Sequence, residues 1–256
     1  DDELESKIDV PTDAFYTLDD LERALSFTLI GDGFLGNRIM QDNAVIMQVR
    51  LHSLNNSSNT KFFSFKEYIT IDNYISSLII HNNSQIININ LEDVDDNLAK
   101  TIVKIFSKMI FDFAKKRRVR AAIPFHLFIE EAHRYVVNDN DHFLLGYNIF
   151  DRITKEGRKY GVILGLITQR PSELSETSIS QCSNFLILRT LHPKDLDFIK
   201  NMVPSVSSEI IEQLKSLQAG NCIAFGSAFK IPVSMRFEKP DPEPLSSNAD
   251  ILKTWY

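Results

Sequence analysis

The sequence has few cysteines, no long apolar run and no excess of basic charge. Its two cysteines, Cys182 and Cys222, belong to no CxxC or Cys/His spacing, which excludes a disulfide scaffold and a zinc finger and fits a reducing compartment. No window approaches about 18 uncharged apolar residues, and the chain starts with an acidic segment where a signal peptide is basic and then apolar. We therefore expect a cytoplasmic protein without a membrane span.

Acidic residues outnumber basic ones. The 256 residues include 28 lysines and arginines against 34 aspartates and glutamates, which gives a formal net charge of −6 and excludes a histone-like or polybasic binder. With 43% hydrophobic and 24% charged residues, the composition is that of an ordinary globular protein, long enough for one large domain or two small ones. Because the chain begins at Asp1 and not at a methionine, we expect it to be a piece of a longer polypeptide.

The hydrophobic pattern divides the chain into three regions. Apolar residues recur at helical spacing over 18–80, so that 1–83 is expected to form an acidic leader and a helical subdomain. Strands and helices then alternate over 84–238. The remaining segment, 239–256, is rich in proline at its start and is expected to be an extended tail.

The alternation of strands and helices predicts an α/β fold. Elements of these lengths imply a doubly wound, mostly parallel sheet, and the active crevice of such a sheet lies at the carboxyl ends of its strands. The predicted strands cover 85–91, 125–129, 162–168, 185–188, 221–225 and 233–237, and the predicted helices cover 96–118, 142–159, 194–202 and 207–217.

The sharpest chemical signal is the segment LFIEEAHRY, Leu127–Tyr135. An apolar strand delivers two adjacent carboxylates, Glu130 and Glu131, to its carboxyl end, which is the arrangement of a Walker B element in P-loop ATPases. There the first carboxylate helps to hold Mg²⁺, directly or through water, and the second orients and deprotonates the attacking water. The alternative is a strand that stops at a charged turn. His133 lacks further ligands at useful spacing and is expected to be a hydrogen-bonded supporting group.

A second apolar strand is predicted over Val162–Thr168, and Gln169 follows it directly. A polar amide at the end of the strand next to a Walker B strand can contact both the γ-phosphate and the attacking water, so Gln169 is a candidate sensor. A glutamine that ends a strand before a proline turn is the alternative.

The segment between these strands, DRITKEGRKYG, offers candidates for an arginine finger. Arg158 and Lys159 fall near a predicted helix C-terminus, where the helix dipole favours cations. The functional interpretation is a guanidinium that Arg158 presents to the nucleotide of a neighbouring subunit. Arg152 is the competing candidate. The basic run over 115–120 is either a dipole complement on a solvated turn or a patch that contacts phosphates or a subunit.

Taken together, these segments resemble the HerA group of the HerA/FtsK superfamily of hexameric DNA-translocating ATPases. The resemblance covers roughly 18–242 and implies a RecA-like P-loop ATPase core, with the helical region as an insertion, assembled into a ring around double-stranded DNA. The segments that carry it are FIEEAHRYV, EGRKYGVILGLITQRPSEL, SQCSNFLILRT, HPKDLDFI, VRLHSL and IFDFAKKRR.

The resemblance also implies roles for individual residues. It makes Glu130 and Glu131 the Walker B pair, which works with ATP and Mg²⁺, and Gln169 the sensor. Arg158 becomes the best candidate for the trans arginine. Lys194, in HPKD, matches the neighbourhood of a basic residue that FtsK-like ATPases also present across the subunit boundary.

The chain departs from the family pattern in two places. Glu130 stands where members usually carry aspartate. The phosphate loop GxxxxGK[ST] is missing, and no Gly-Lys dipeptide occurs in the 256 residues. In the family, that loop and an N-terminal β-barrel precede the region seen here. We therefore expect a C-terminal portion that is inactive as an isolated chain.

Three functions are compatible with the sequence. The first is an ATPase that translocates on or unwinds double-stranded DNA, with a nuclease such as NurA or a sirtuin-like or other defence effector as partner, in DNA repair or antiviral defence. The alternative is a non-catalytic RecA-like oligomerisation scaffold for an effector nuclease. A remote third is a dinucleotide-binding enzyme built on GDGFLG, where Asp32 would repel a pyrophosphate.

Overall fold

The computed structural model describes residues 17–31, 45–49, 51–52, 69–80, 85–137, 147–203 and 206–243. The chain divides into two compact units, Asp1–Val94 and Asp95–Tyr256. The helices are α1 (Leu18–Gly31), α2 (Ile71–Ile80), α3 (Asp96–Lys116), α4 (Ile149–Glu156), α5 (Glu176–Ser180), α6 (Pro193–Met202) and α7 (Ser208–Ser216), and the strands are β1 (Phe125–Ile129), β2 (Val162–Leu166), β3 (Asn184–Ile187), β4 (Asn221–Gly226) and β5 (Val233–Arg236).

The regular elements described in the first unit are helices, as the apolar spacing predicts. α1 begins with a capping box, in which the backbone N–H of Asp20 donates to Thr17 Oγ1 over 3.1 Å and the backbone N–H of Thr17 donates to Asp20 Oδ2 over 2.9 Å. This bond from the Thr17 backbone lowers the pKa of the Asp20 carboxyl. Residues 45–49 and 51–52 are also helical. The motif GDGFLG lies outside the described residues from its second position onward.

The prediction of a strand over 85–91 is wrong. These residues belong to no strand, and Ile86, Ile87 and Ile89 are exposed. Apolar alternation is not sufficient for a strand, because a strand also needs a pairing partner, and the strand pairs among the described residues do not include this segment.

The second unit begins with α3, which is set by its cap and its apolar stripe. The Asp95 carboxylate accepts hydrogen bonds from the backbone N–H groups of Asn97 and Leu98, and Lys115 and Lys116 in the last turn complement the helix dipole. Its buried face includes phenylalanines that reach the sheet. The Phe113 ring lies edge-on to Phe125, with centroids 6.0 Å apart.

A parallel pair of strands, β1 and β2, forms the centre of this unit. Phe125 lies opposite Val162 and Ile129 opposite Leu166. One face of the pair packs against α3 and α4. On the other face, Phe128 is 69% exposed, and its ring lies over Gly165, where a Cβ would come within 2.5 Å of the ring.

The remaining strands form an antiparallel sheet in the order β3-β4-β5. The α/β class is confirmed, but among the described strands one pair is parallel and two are antiparallel, whereas a mostly parallel sheet was expected. The connection from β4 to β5 is too short for the crossover that parallel strands need. α6 and α7 cover this sheet, and the core between them contains Leu196, Ile199, Ile211, Leu214, Ile223 and Phe225.

Other predicted elements are close to those observed. The helix predicted over 142–159 appears as α4 followed by a 3₁₀ turn, Gly157–Tyr160, and 142–146 lie outside the described residues. The short helix α5 was not predicted. Residues 239–243 contain no helix or strand, and the rest of the tail is not described. Within the described chain, no helix is long and apolar enough to cross a bilayer.

Candidate functional site

The carboxyl ends of β1 and β2 meet at one edge of the parallel pair. Beyond the last residues of the ladder, the backbone N–H of Ile167 donates to the Ile129 carbonyl over 3.0 Å, and the N–H of Ala132 donates to the Ile167 carbonyl over 2.9 Å. The segments that follow β1 and β2 therefore stay side by side, which places the residues after Ile129 next to the residues after Ile167.

Glu131 and Gln169 meet at this edge. The Gln169 side-chain N–H (Nε2) donates to Glu131 Oε1 over 2.7 Å. Glu131 has left-handed backbone angles, φ 47° and ψ 44°, which are unusual for a residue with a side chain, and its side chain is 42% exposed. Two of the residues that the sequence singles out thus share one hydrogen bond at a solvent-accessible position.

His133 and Thr168 complete this cluster. His133 Nδ1 lies 3.1 Å from Thr168 Oγ1 and 3.4 Å from Glu131 Oε2, and only 14% of the His133 side chain is exposed. The backbone N–H of Arg170 donates to Thr168 Oγ1 over 3.0 Å. The sequence indicates a supporting role for His133 but gives no partner, and it predicts for Thr168 only a place at the end of its strand.

Glu130 is exposed at the end of β1. Among the described residues, no three or more His, Cys, Asp or Glu side chains are grouped closely enough to hold a metal ion on their own. A single exposed carboxylate nevertheless suits Mg²⁺, which keeps several waters and is commonly held by one or two carboxylates together with substrate phosphates. Glu130 therefore fits a nucleotide-borne Mg²⁺ and not a closed protein cage.

Arg134 borders the same edge. Its guanidinium donates to the Asp96 carboxylate at the start of α3, and this hydrogen bond raises the pKa of Arg134. It also lies 5.4 Å from the centre of the Tyr135 ring. Since α3 begins at the carboxyl edge, it runs antiparallel to β1 and ends at the opposite edge.

The segment that follows Gln169 is tied down by a buried carboxylate from HPKD. The backbone N–H of Ser172 donates to Asp195 Oδ1 over 3.1 Å, and Asp195 is 6% exposed. The adjacent Lys194 is exposed in the first turn of α6. HPKD thus reaches the loop after Gln169 through Asp195, a link that sequence reasoning missed.

A second carboxylate, that of the partly buried Asp151 on α4, anchors the end of this loop. Asp151 Oδ1 accepts hydrogen bonds from the hydroxyls of Ser175, over 2.9 Å, and Ser178, over 2.6 Å. Both serines are completely buried, and Ser175 is the N-cap of α5. The backbone N–H of Ser175 also donates to the Val136 carbonyl over 2.8 Å, which joins the loop to the segment that follows β1.

The two candidate arginines have different surroundings. The Arg152 guanidinium lies 4.7 Å from the Tyr147 ring centre and 5.5 Å from that of Phe111, and its Nε is 3.7 Å from a carboxylate oxygen of Glu156. Arg152 is therefore engaged within its own chain. Arg158 is exposed, and no carboxylate of the described residues is within ion-pair distance of it.

Arg158 lies at the end of β2 that is remote from Gln169. It belongs to the 3₁₀ turn that precedes β2, whereas Gln169 follows β2. A strand advances about 3.3 Å per residue, so the two ends of this segment are roughly 20 Å apart. The structure brings Glu131, His133, Thr168 and Gln169 together and does not bring Arg158 to them.

No family model matches the chain. Among curated proteins, it is similar to the DNA double-strand break repair helicase HerA of Saccharolobus solfataricus, with 32% identity over 171 residues, 65% of this chain and 34% of the relative. A probable helicase of Methanocaldococcus jannaschii is 35% identical over 162 residues, 59% and 30% of the two chains. HerA of Pyrococcus furiosus is 28% identical over 177 residues, 58% and 32% of the two chains.

Among solved structures, the chain is similar to B204, the DNA-packaging ATPase from Sulfolobus turreted icosahedral virus. The two align over 84% of this chain and 93% of B204, with 17% identity and a TM-score of 0.47. The chain spans about a third of the length of the curated relatives named above. The sequence similarity to these helicases supports a HerA-like ATPase of the HerA/FtsK superfamily.

Proposed function

We propose that the chain is the C-terminal part of a HerA-like ATPase that couples ATP hydrolysis to translocation on, or unwinding of, double-stranded DNA. The observation that carries the proposal is the hydrogen bond between Glu131 and Gln169 at the carboxyl edge of a parallel strand pair. A base and an amide at this position can both contact the terminal phosphate and the water that attacks it. The relatives that are named as DNA repair helicases support the same activity.

The described residues divide the chemistry of the site between them. Glu131 orients the attacking water and takes its proton, and Gln169 contacts the γ-phosphate. Glu130 would hold Mg²⁺, directly or through water, and the bound ion would supply charge neutralisation for the phosphate oxygens. The loop that holds the nucleotide phosphates does not occur in this sequence. The isolated chain is therefore expected to have no ATPase activity.

Arg158 acts on the nucleotide of a neighbouring copy. Its roughly 20 Å distance from Gln169 along β2 excludes a role at its own site. An exposed guanidinium without an ion-pair partner among the described residues is free to reach a phosphate of an adjoining subunit. Lys194 is exposed as well, and it contacts the nucleotide across the same boundary between subunits. This arrangement requires a homo-oligomer, for which the family resemblance favours a hexameric ring.

The biological setting is proposed from the resemblance to the HerA group. We propose a cytoplasmic motor in DNA repair or antiviral defence, with a NurA-like nuclease or a sirtuin-like or other effector as partner and the helical first unit as an insertion into the RecA-like core. The competing function is a non-catalytic oligomerisation scaffold for such an effector. A GxxxxGK[ST] motif in the coding sequence upstream of this chain would support the ATPase, and its absence there would support the scaffold.

The substitution Glu131→Gln tests the proposal in the longer polypeptide that carries a phosphate loop. It should abolish ATP hydrolysis, because an amide cannot take the proton of water, while nucleotide binding and assembly persist. Glu176→Gln, at an exposed position on α5, is the matched control and should leave turnover unchanged. Surviving turnover in Glu131→Gln, or turnover by the isolated chain, would contradict the proposal.

A further inference from the structure

We propose that His133 is a positioning residue for Glu131, and that Gln169 caps the same carboxylate until nucleotide arrives. His133 Nδ1 lies 3.4 Å from Glu131 Oε2, and the Gln169 amide donates to Glu131 Oε1. The attacking water then gains access to Oε1 only after the Gln169 amide has turned away. The inference rests on the proposed role of Glu131 as the base.

The position of the His133 ring is set by the turn after β1. The backbone N–H of Arg134 donates to the Glu131 carbonyl over 2.8 Å, and that of Tyr135 donates to the Ala132 carbonyl over 3.0 Å. This tight 3₁₀ turn brings the ring back over the side chain of Glu131, two residues earlier. With 14% of its side chain exposed, His133 has little freedom to leave this position.

The contacts of Nδ1 determine which ring nitrogen carries the proton. Nδ1 faces two oxygens, Thr168 Oγ1 at 3.1 Å and Glu131 Oε2 at 3.4 Å. An ionised carboxylate can only accept hydrogen bonds, so an unprotonated Nδ1 would face it with a lone pair. The geometry therefore favours a proton on Nδ1, which donates to the hydroxyl oxygen and lies beside the carboxylate, with Nε2 unprotonated in the neutral ring.

The two oxygens of Glu131 are held with different strength. The bond from Gln169 is short, at 2.7 Å, and the contact from His133 is longer, at 3.4 Å. The Gln169 amide occupies the position at Oε1 that the attacking water would need. Gln169 therefore keeps water from Oε1 while the site is without nucleotide.

Arrival of a γ-phosphate would change these contacts unequally. Its oxygens are strong acceptors and compete for the same Gln169 N–H group, which would free Oε1 for water. His133 has no such competitor, because its partners are Glu131 and Thr168. It therefore stays beside Oε2 and limits rotation of the carboxylate, so that Oε1 faces the water.

The kinetic test uses four variants of the longer polypeptide with a phosphate loop. His133→Ala should lower kcat for ATP by about tenfold or more and leave KM within about twofold, because orientation of the base matters in the transition state. His133→Asn should recover most of the loss, since its amide nitrogen occupies the place of Nδ1. Thr168→Val should lower kcat for ATP by less than His133→Ala does. His126→Ala, at an exposed position on β1, is the control and should leave kcat unchanged.

A second test needs no activity. In the 256-residue chain without nucleotide, ¹⁵N NMR should find the neutral His133 ring protonated at Nδ1, and Glu131→Ala should shift the ring toward the other tautomer. Observation of the Nε2–H tautomer in the unsubstituted chain would overturn the proposal. This result is independent of whether any His133 variant folds.

The kinetic outcomes separate the two proposals. If Glu131→Gln abolishes hydrolysis while His133→Ala keeps the original kcat, the positioning role fails and the proposed function stands. Equal losses in His133→Ala and His133→Asn would indicate a purely structural residue and would also overturn the inference. If Glu131→Gln remains active, the proposed function itself is wrong.

Discussion

Removal of the Asp151 carboxylate should destabilise the second unit strongly. In Asp151→Ala, the hydroxyls of Ser175 and Ser178 lose their common acceptor, and both serines are completely buried. A hydrogen bond to a charged group contributes about 1.5–3 kcal/mol, and a buried donor without a partner loses its solvation as well. The substitution also removes the cost of partly burying a carboxylate, which offsets some of this loss. We therefore expect the free energy of unfolding to fall by about 3 kcal/mol.

Urea unfolding followed by circular dichroism measures this change. Asp197→Ala, at an exposed position on α6, is the matched control and should change the free energy of unfolding by less than about 0.5 kcal/mol. Ser178→Ala alone should cost about 1.5 kcal/mol. Asp151 and Ser178 share a hydrogen bond, so their contributions are coupled. The loss of unfolding free energy in the double variant should therefore be smaller than the sum of the two single losses, by about 1 kcal/mol or more.

Two results would refute the reasoning on Asp151. A loss below about 0.5 kcal/mol in Asp151→Ala would mean that the serine hydroxyls find other partners at no cost. Strict additivity with Ser178→Ala would mean that the two side chains are not coupled. Comparable slopes of free energy against urea concentration among the variants are required, because the chain has two compact units.

Two further substitutions test the amino end of β2. In rings that mix substituted and unsubstituted subunits, Arg158→Ala should reduce ATP hydrolysis by the unsubstituted neighbours, whereas Lys159→Ala should not; if the neighbours are unaffected, the trans arginine must be sought at Arg152. Gly157→Ala should lower the melting temperature and cost about 1–3 kcal/mol, because its Cβ would lie 2.3 Å from the Val162 carbonyl oxygen; an unchanged melting temperature would show that the turn relaxes freely.

The elements that were predicted well are those whose signal is local. β1 was predicted at its observed bounds, because an apolar run that stops at two glutamates marks both its burial and its end. Elements that depend on distant partners were not. The segment 85–91 has a strand-like pattern but belongs to no strand. α5 has only five residues and is capped by Ser175, whose hydroxyl is held by a carboxylate far away in the sequence.

The same distinction applies to the candidate site. Parallel pairing of two strands that end in polar residues predicts that Glu131 and Gln169 lie close together. The contact of His133 with Thr168 depends on the left-handed backbone of Glu131, which turns the chain back at the end of β1. Residue identity does not indicate that conformation, because glutamate is not typical of it. The sequence therefore predicted the pair and not the cluster around it.

The left-handed backbone of Glu131 also affects how this protein can be engineered. Glycine adopts φ 47° without the steric cost that a Cβ imposes, so Glu131→Gly would relieve up to roughly 1 kcal/mol of backbone strain. The greater backbone entropy that glycine loses on folding would offset part of this gain. A selection for heat resistance alone would thus tolerate or favour glycine at a position where we propose that the chain needs a base. Libraries built to stabilise this protein should keep residue 131 fixed and score hydrolysis together with melting temperature.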